Sequence, residues 1–85
     1  MKGESAINND KKDYYVKSLI KILDILNLFS NHRYELSISE ISKELGLDIS
    51  TTYRLLGTLK YKNYIEQNSF NLNYKFGSEF LNKVF

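Results

Sequence analysis

Ser50, Thr51, Arg54, Gly57, Thr58 and Tyr61 recur at a spacing that puts them on one face of an α-helix, with Tyr53 and Lys60 on its flank. The opposite face of the same segment carries Thr52, Leu55, Leu56 and Leu59, a stripe that has to be buried. The outward face then offers two small hydroxyls near the helix start, one guanidinium, and a glycine that lets another backbone come close. Hydroxyls bond phosphate oxygens or base edges, and a guanidinium forks onto guanine or clamps a phosphate, so this is chemistry suited to the major groove of DNA. The plain alternative is a solvated polar face, and for Gly57 the relief of crowding against a neighbour.

No comparable set supports catalysis. His32 is the only histidine, there is no cysteine, and no cluster of carboxylates gives His32 metal-ligand spacing, so it reads as a surface residue. Gly3, Gly46, Gly57 and Gly77 are scattered and build no phosphate-cradling loop. The expectation is a chain with no catalytic residue, no metal and no cofactor.

Charge and length narrow the classes further. The net charge of +2 is too small to argue for nucleic acid, but from residue 50 to residue 76 Arg54, Lys60, Lys62 and Lys75 stand against Glu66 alone. The basic excess sits beside the candidate reading face. Eighty-five residues make one small domain of marginal stability unless a partner adds buried surface. The absence of cysteine permits a reducing compartment, no apolar run approaches a membrane span, and Met1 to Asp13 is polar where a signal peptide would be apolar. A cytoplasmic protein is the expectation.

The elements that must hold the reading helix follow from periodicity. Residues 1 to 13 are polar and aperiodic, and read as a disordered arm. Val16 to Phe29 is a helix with Val16, Leu19, Ile20, Ile22, Leu23, Ile25, Leu26 and Phe29 spread over an arc of roughly 220°, about twice what an ordinary surface helix buries. One small core cannot cover it all, so a two-fold dimer through this helix is expected. The assignment is Leu19, Leu23 and Leu26 inward, with Ile22, Ile25 and Phe29 outward at the dimer interface. After a loop at residues 31–34 and a strand stub at Glu35-Leu36, Ser37 and Glu40 form a capping-box pair that starts a helix near Ile38. Ile38, Ile41 and Leu45 are its inner stripe, Gly46 ends it, Leu47 fills the gap, and the reading helix runs from about Asp48 to Tyr61. Tyr64–Gln67 and Leu72–Phe76 alternate as paired strands about the tip Asn68-Ser69-Phe70-Asn71. Gly77-Ser78 breaks the second strand, and Phe80, Leu81, Val84 and Phe85 begin a last helix. The tyrosines at 14, 15, 61, 64 and 74 are assigned to packing in preference to base stacking.

The fold class is thus mainly α with a small β-hairpin, a winged helix-turn-helix of three helices plus wing. Four stretches carry a resemblance to the IclR-type transcriptional regulators. Tyr14 to Leu26 resembles the family's Ser-Leu-x-basic-apolar-Leu-x-Ile-Leu run, and Leu36 to Ile41 its entry to the helix-turn-helix. Gly46 to Leu56 resembles its Gly-Leu-x-x-Ser-Thr-x-x-Arg-Leu-Leu, and Tyr74 to Gly77 its Tyr-basic-apolar-Gly wing exit. Asp48 stands where the family usually has proline, which is benign because an acidic residue also suits a helix N-terminus.

The resemblance implies an N-terminal DNA-binding domain at residues 14–77, the start of a linker helix at 78–85, and an effector-binding domain missing from this chain, which reads as an excised part or as a naturally short regulator. It implies double-stranded DNA as partner, and the helical period by itself puts Ser50, Thr51, Tyr53, Arg54, Gly57, Thr58 and Lys60 at the major groove. Asn68 and Lys75 are the wing's candidates for backbone or minor-groove contact, although lysine on a hairpin also serves edge protection. Family members pair through the first helix, so two reading helices about 34 Å apart would meet a roughly palindromic operator. A winged helix used only for protein–protein contact, or a MarR-like regulator, is the alternative.

Overall fold

A computed structural model of the chain describes residues 14–31 and 35–84. Its elements are α1 (Lys17–Asn31), α2 (Ile38–Leu45), α3 (Ile49–Tyr61), β1 (Ile65–Gln67), β2 (Tyr74–Phe76) and α4 (Ser78–Val84). The arm at residues 1–13 and His32 lie outside the described residues.

The start of α2 is set by side chains, as the sequence leads one to expect. The Ser37 hydroxyl accepts from the Glu40 backbone N–H at 3.1 Å, and the Glu40 carboxylate accepts from the Ser37 N–H at 2.8 Å. Two of the orphan donors at a helix start are satisfied reciprocally. The helix ends at Gly46, whose φ of 65° is left-handed and therefore favours glycine. Asp48 then caps α3, its carboxylate accepting from the Thr51 N–H at 2.8 Å, so the turn between the two helices is bounded by a cap on each side.

The core draws on every element except α4. Ile25, Leu28 and Phe29 of α1 meet Ile41 of α2, Leu56 and Leu59 of α3, and Leu36, Ile65 and Tyr74 of the sheet region. Ile25, Ile41 and Leu56 lose all contact with solvent, and each such burial stabilises by about 1.5–3 kcal/mol. Thr52 is also fully buried, and its hydroxyl is satisfied by donating to the Asp48 carbonyl at 2.8 Å.

This packing reverses the expected phase of α1. Ile25 and Phe29, assigned to a dimer interface, are buried within the chain, and Ile22 packs against the same core. Leu19 and Leu23, assigned inward, are about half exposed at 52% and 50%. Leu26 does pack inward, and Leu28, left out of the apolar arc, is buried. The physical reason is the position of the sheet. Phe29 lies with its ring 5.7 Å from Phe76 of β2, so the C-terminal half of α1 must turn the Ile22, Ile25 and Phe29 side toward the wing base.

The wing is shorter than its alternation suggests. β1 and β2 pair antiparallel with Ile65 opposite Phe76, Glu66 opposite Lys75 and Gln67 opposite Tyr74. Leu36 exchanges both backbone hydrogen bonds with Tyr74, which makes the expected strand stub a single bridge. Leu72, expected in the second strand, has φ 64° and leaves the extended region, so the tip lengthens to Asn68–Asn73. At the far end, a Cβ on Gly77 would stand 2.8 Å from the Asn63 carbonyl oxygen, so glycine is what permits the strand to pass the α3 exit. Glu66 then reaches from β1 to cap α4, accepting from the Ser78 N–H at 2.8 Å and its hydroxyl at 3.0 Å. These bonds hold the Glu66 carboxyl below the ordinary carboxylate range.

Candidate nucleic-acid interface

The reading face is built by the burial of its opposite side. Thr52, Leu56 and Leu59 are buried and Leu55 packs against the core, which turns Ser50, Tyr53, Arg54, Gly57, Thr58, Lys60 and Tyr61 outward. Thr51 is half-buried at the same end. The structure therefore brings the expected α3 residues together on one exposed surface.

Local hydrogen bonds decide how free each group is. The Asp48 carboxyl is held below its ordinary range by the hydrogen bonds Thr51 gives it, from side chain and backbone, with Arg54 adding a favourable charge. Thr51 is thus partly spent on the cap. Thr58 donates its hydroxyl to the Arg54 carbonyl at 3.0 Å and retains only acceptor capacity. Ser50 stands exposed ahead of them. Lys60 is fixed to the wing, its ammonium donating to the Gln67 side-chain oxygen at 3.0 Å.

Gly57 has open space where a Cβ would be, so it relieves no crowding among the described residues. Glycine in a helix interior costs about 0.5–1 kcal/mol relative to alanine. Gly57→Ala is therefore expected to raise stability by about that amount in a urea melt, and to weaken binding if a duplex backbone or base edge approaches there. Unchanged stability would show that the helix gains nothing from the added methyl, and unchanged binding would remove Gly57 from the interface.

The wing candidates are placed differently. Asn68 turns its amide oxygen inward, accepting from the Phe70 and Asn71 backbone N–H groups at 2.7 and 3.2 Å, so it shapes the loop. Lys75 lies half-buried across from Glu66 and lowers that carboxyl's pKa. Among the tyrosines, Tyr74 is buried in the core and Tyr64 stacks on Phe80 at 4.9 Å between ring centroids. Tyr14 and Tyr61, assigned to packing, are more than 80% exposed. Phe70, an aromatic inside the asparagine-rich turn at the wing tip, is 96% exposed.

A short capped helix, a tight left-handed turn, a second helix with its polar face outward and a flanking hairpin define a winged helix-turn-helix. Residues 18–69 match the IclR helix-turn-helix domain. The chain belongs to the IclR helix-turn-helix domain family. It is 40% identical over 68 residues to the HTH-type transcriptional regulator XynR of Escherichia coli, a stretch covering 80% of this chain and 27% of XynR. An IclR family transcriptional regulator of Brucella abortus superposes with a TM-score of 0.75 at 26% identity, over 85% of this chain and 27% of that one. A transcriptional regulator of Alicyclobacillus acidocaldarius gives a TM-score of 0.76 at 27% identity, over 82% and 28%. The chain spans about a quarter of the length of these relatives. No helix among the described residues is long and apolar enough to cross a membrane.

Proposed function

We propose that this chain is the DNA-binding part of an IclR-family transcriptional regulator, which binds double-stranded DNA sequence-specifically with α3 in the major groove. The observation that carries the reading is the outward face of α3, where Ser50, Arg54, Gly57 and Thr58 are exposed together while the apolar side of the same helix is consumed by the core. Arg54 is the one arginine of α3, and supplies the fork that base or phosphate recognition needs. We assign repression in the cytoplasm, the sense most often found among the IclR-type regulators this chain resembles. Residues 14–77 form the DNA-binding unit, α4 starts the linker, and an effector would act through a domain beyond these residues.

The functional unit is a homodimer through the outer side of α1. On α1, Leu19, Ile20 and Leu23 are all more than 40% exposed at helical spacing, and Tyr15 and Val16 just ahead of the helix are exposed as well. A second copy covers that ridge without disturbing Ile25 or Phe29. A two-fold axis there directs two α3 helices to successive major grooves, so the operator is roughly palindromic.

Titration of the chain against mixed duplex DNA across a salt series tests the reading against a protein-only role. Each phosphate neutralised releases counterions, so log affinity is expected to fall linearly with log salt. Absence of binding at low salt would refute it.

A further inference from the structure

The wing tip presents Phe70 and Leu72 outward, and its asparagines hold it in shape. Besides the two bonds to the Asn68 amide oxygen, Asn68 donates its N–H to the Asn73 carbonyl at 2.8 Å, and Leu72 donates to the Asn68 carbonyl at 2.9 Å. The Asn71 side-chain oxygen accepts from the Asn73 N–H at 2.9 Å. The Asn71 and Asn73 amides both reach Glu35, each at 3.4 Å, tying the tip back to the segment before α2. Phe70 is left almost wholly in water at 96% exposure, with Leu72 beside it at 60%. Keeping a large aromatic ring exposed on a pinned loop brings no benefit to the fold.

The location selects the partner. The wing stands at the C-terminal end of α3, joined there by the Lys60–Gln67 side-chain bond and by Tyr64 N–H donating to the Leu59 carbonyl at 2.9 Å. A helix 10–12 Å across fills a major groove about 12 Å wide, so with α3 seated there a hairpin joined to its end would come within reach of the neighbouring strand and minor groove. The tip, Asn68–Asn73, contains no lysine or arginine, and Lys75 lies beyond it in β2, so the tip itself is not made for phosphate. What it offers is an apolar wedge of the kind that enters minor grooves and unstacks a base step.

We propose that Phe70 inserts into the minor groove flanking the α3 site and opens a pyrimidine–purine step, so that the protein selects flexible TA or CA/TG steps at that position without hydrogen-bonding them. The inference rests on the DNA-binding reading. It assigns the tip to indirect readout, because such steps deform most easily and the energy of deformation depends on sequence.

The test uses the 85-residue chain and duplexes enriched by it from a random-sequence library. Enriched duplexes are expected to share a TA or CA/TG step at a fixed distance from the α3 footprint, with its thymine reactive to permanganate only in the complex. Phe70→Ala should abolish that reactivity and weaken binding about tenfold, the order of one good groove contact, while Phe70→Leu keeps both. Because Phe70 touches so little, circular dichroism of either variant should match the wild type. Wild-type affinity and footprint in Phe70→Ala would overturn the wedge and leave the DNA-binding reading intact. Weaker binding by Phe70→Ala without a reactive thymine in the wild-type complex would also overturn it. Failure of the wild-type chain to enrich any duplex would overturn the DNA-binding reading, and the wedge with it.

Discussion

Ile25→Asp is expected to unfold the protein, and Leu23→Asp, two residues earlier on the same helix, is expected to leave it folded and break its dimer. Ile25 is fully buried, so aspartate there loses the apolar contact and carries an unpaired carboxylate into the core, for a combined cost of more than about 4 kcal/mol. That is most of the stability a domain of this size possesses. Leu23 is half exposed, and a charge there remains hydrated in the monomer but faces its symmetry mate in the dimer. Thermal melts by circular dichroism separate the first effect, and sedimentation equilibrium over a concentration series separates the second. If Ile25→Asp melts like the wild type, the inward phase of α1 is wrong. If the wild type is monomeric at every concentration, both free and on DNA, the dimer proposal fails.

Arg54→Ala is expected to lower affinity for an enriched duplex by about 1–3 kcal/mol and to relax the preference at one base pair, if the guanidinium forks onto a base edge. A phosphate contact would weaken all sequences alike and reduce the salt dependence by about one charge. Arg54 is exposed and its carbonyl, not its side chain, accepts from Thr58, so the helix should survive the substitution. Binding titrations on enriched and scrambled duplexes distinguish the two modes, and unchanged affinity on both would remove Arg54 from the interface.

These two experiments probe features of different legibility. Arg54 could be placed from the sequence because α3 has one apolar side, Thr52, Leu55, Leu56 and Leu59, and the period of the helix puts everything else outside. The boundaries of α2 were legible for a similar reason. Ser37, Glu40 and Gly46 satisfy or terminate the backbone through their own side chains or lack of one, which is local chemistry that needs no tertiary partner.

The phase of α1 was not available in this way. With apolar residues over most of its circumference, the helix is compatible with two opposite docking orientations, and only the Phe29–Phe76 contact and the positions of α2 and α3 choose between them. The wing shows the same limit at smaller scale. Alternation at Leu72–Phe76 is consistent with a five-residue strand, yet the hydrogen bonds that Asn68, Asn71 and Asn73 make across the tip, with Glu35 as an anchor far away in sequence, pull Leu72 to positive φ. Sequence alone determined the capped helix-turn-helix and the face of α3, because those depend on period and on near neighbours. Tertiary structure alone decided which side of α1 is left for a partner and which residues the wing presents, because both depend on contacts between segments distant along the chain.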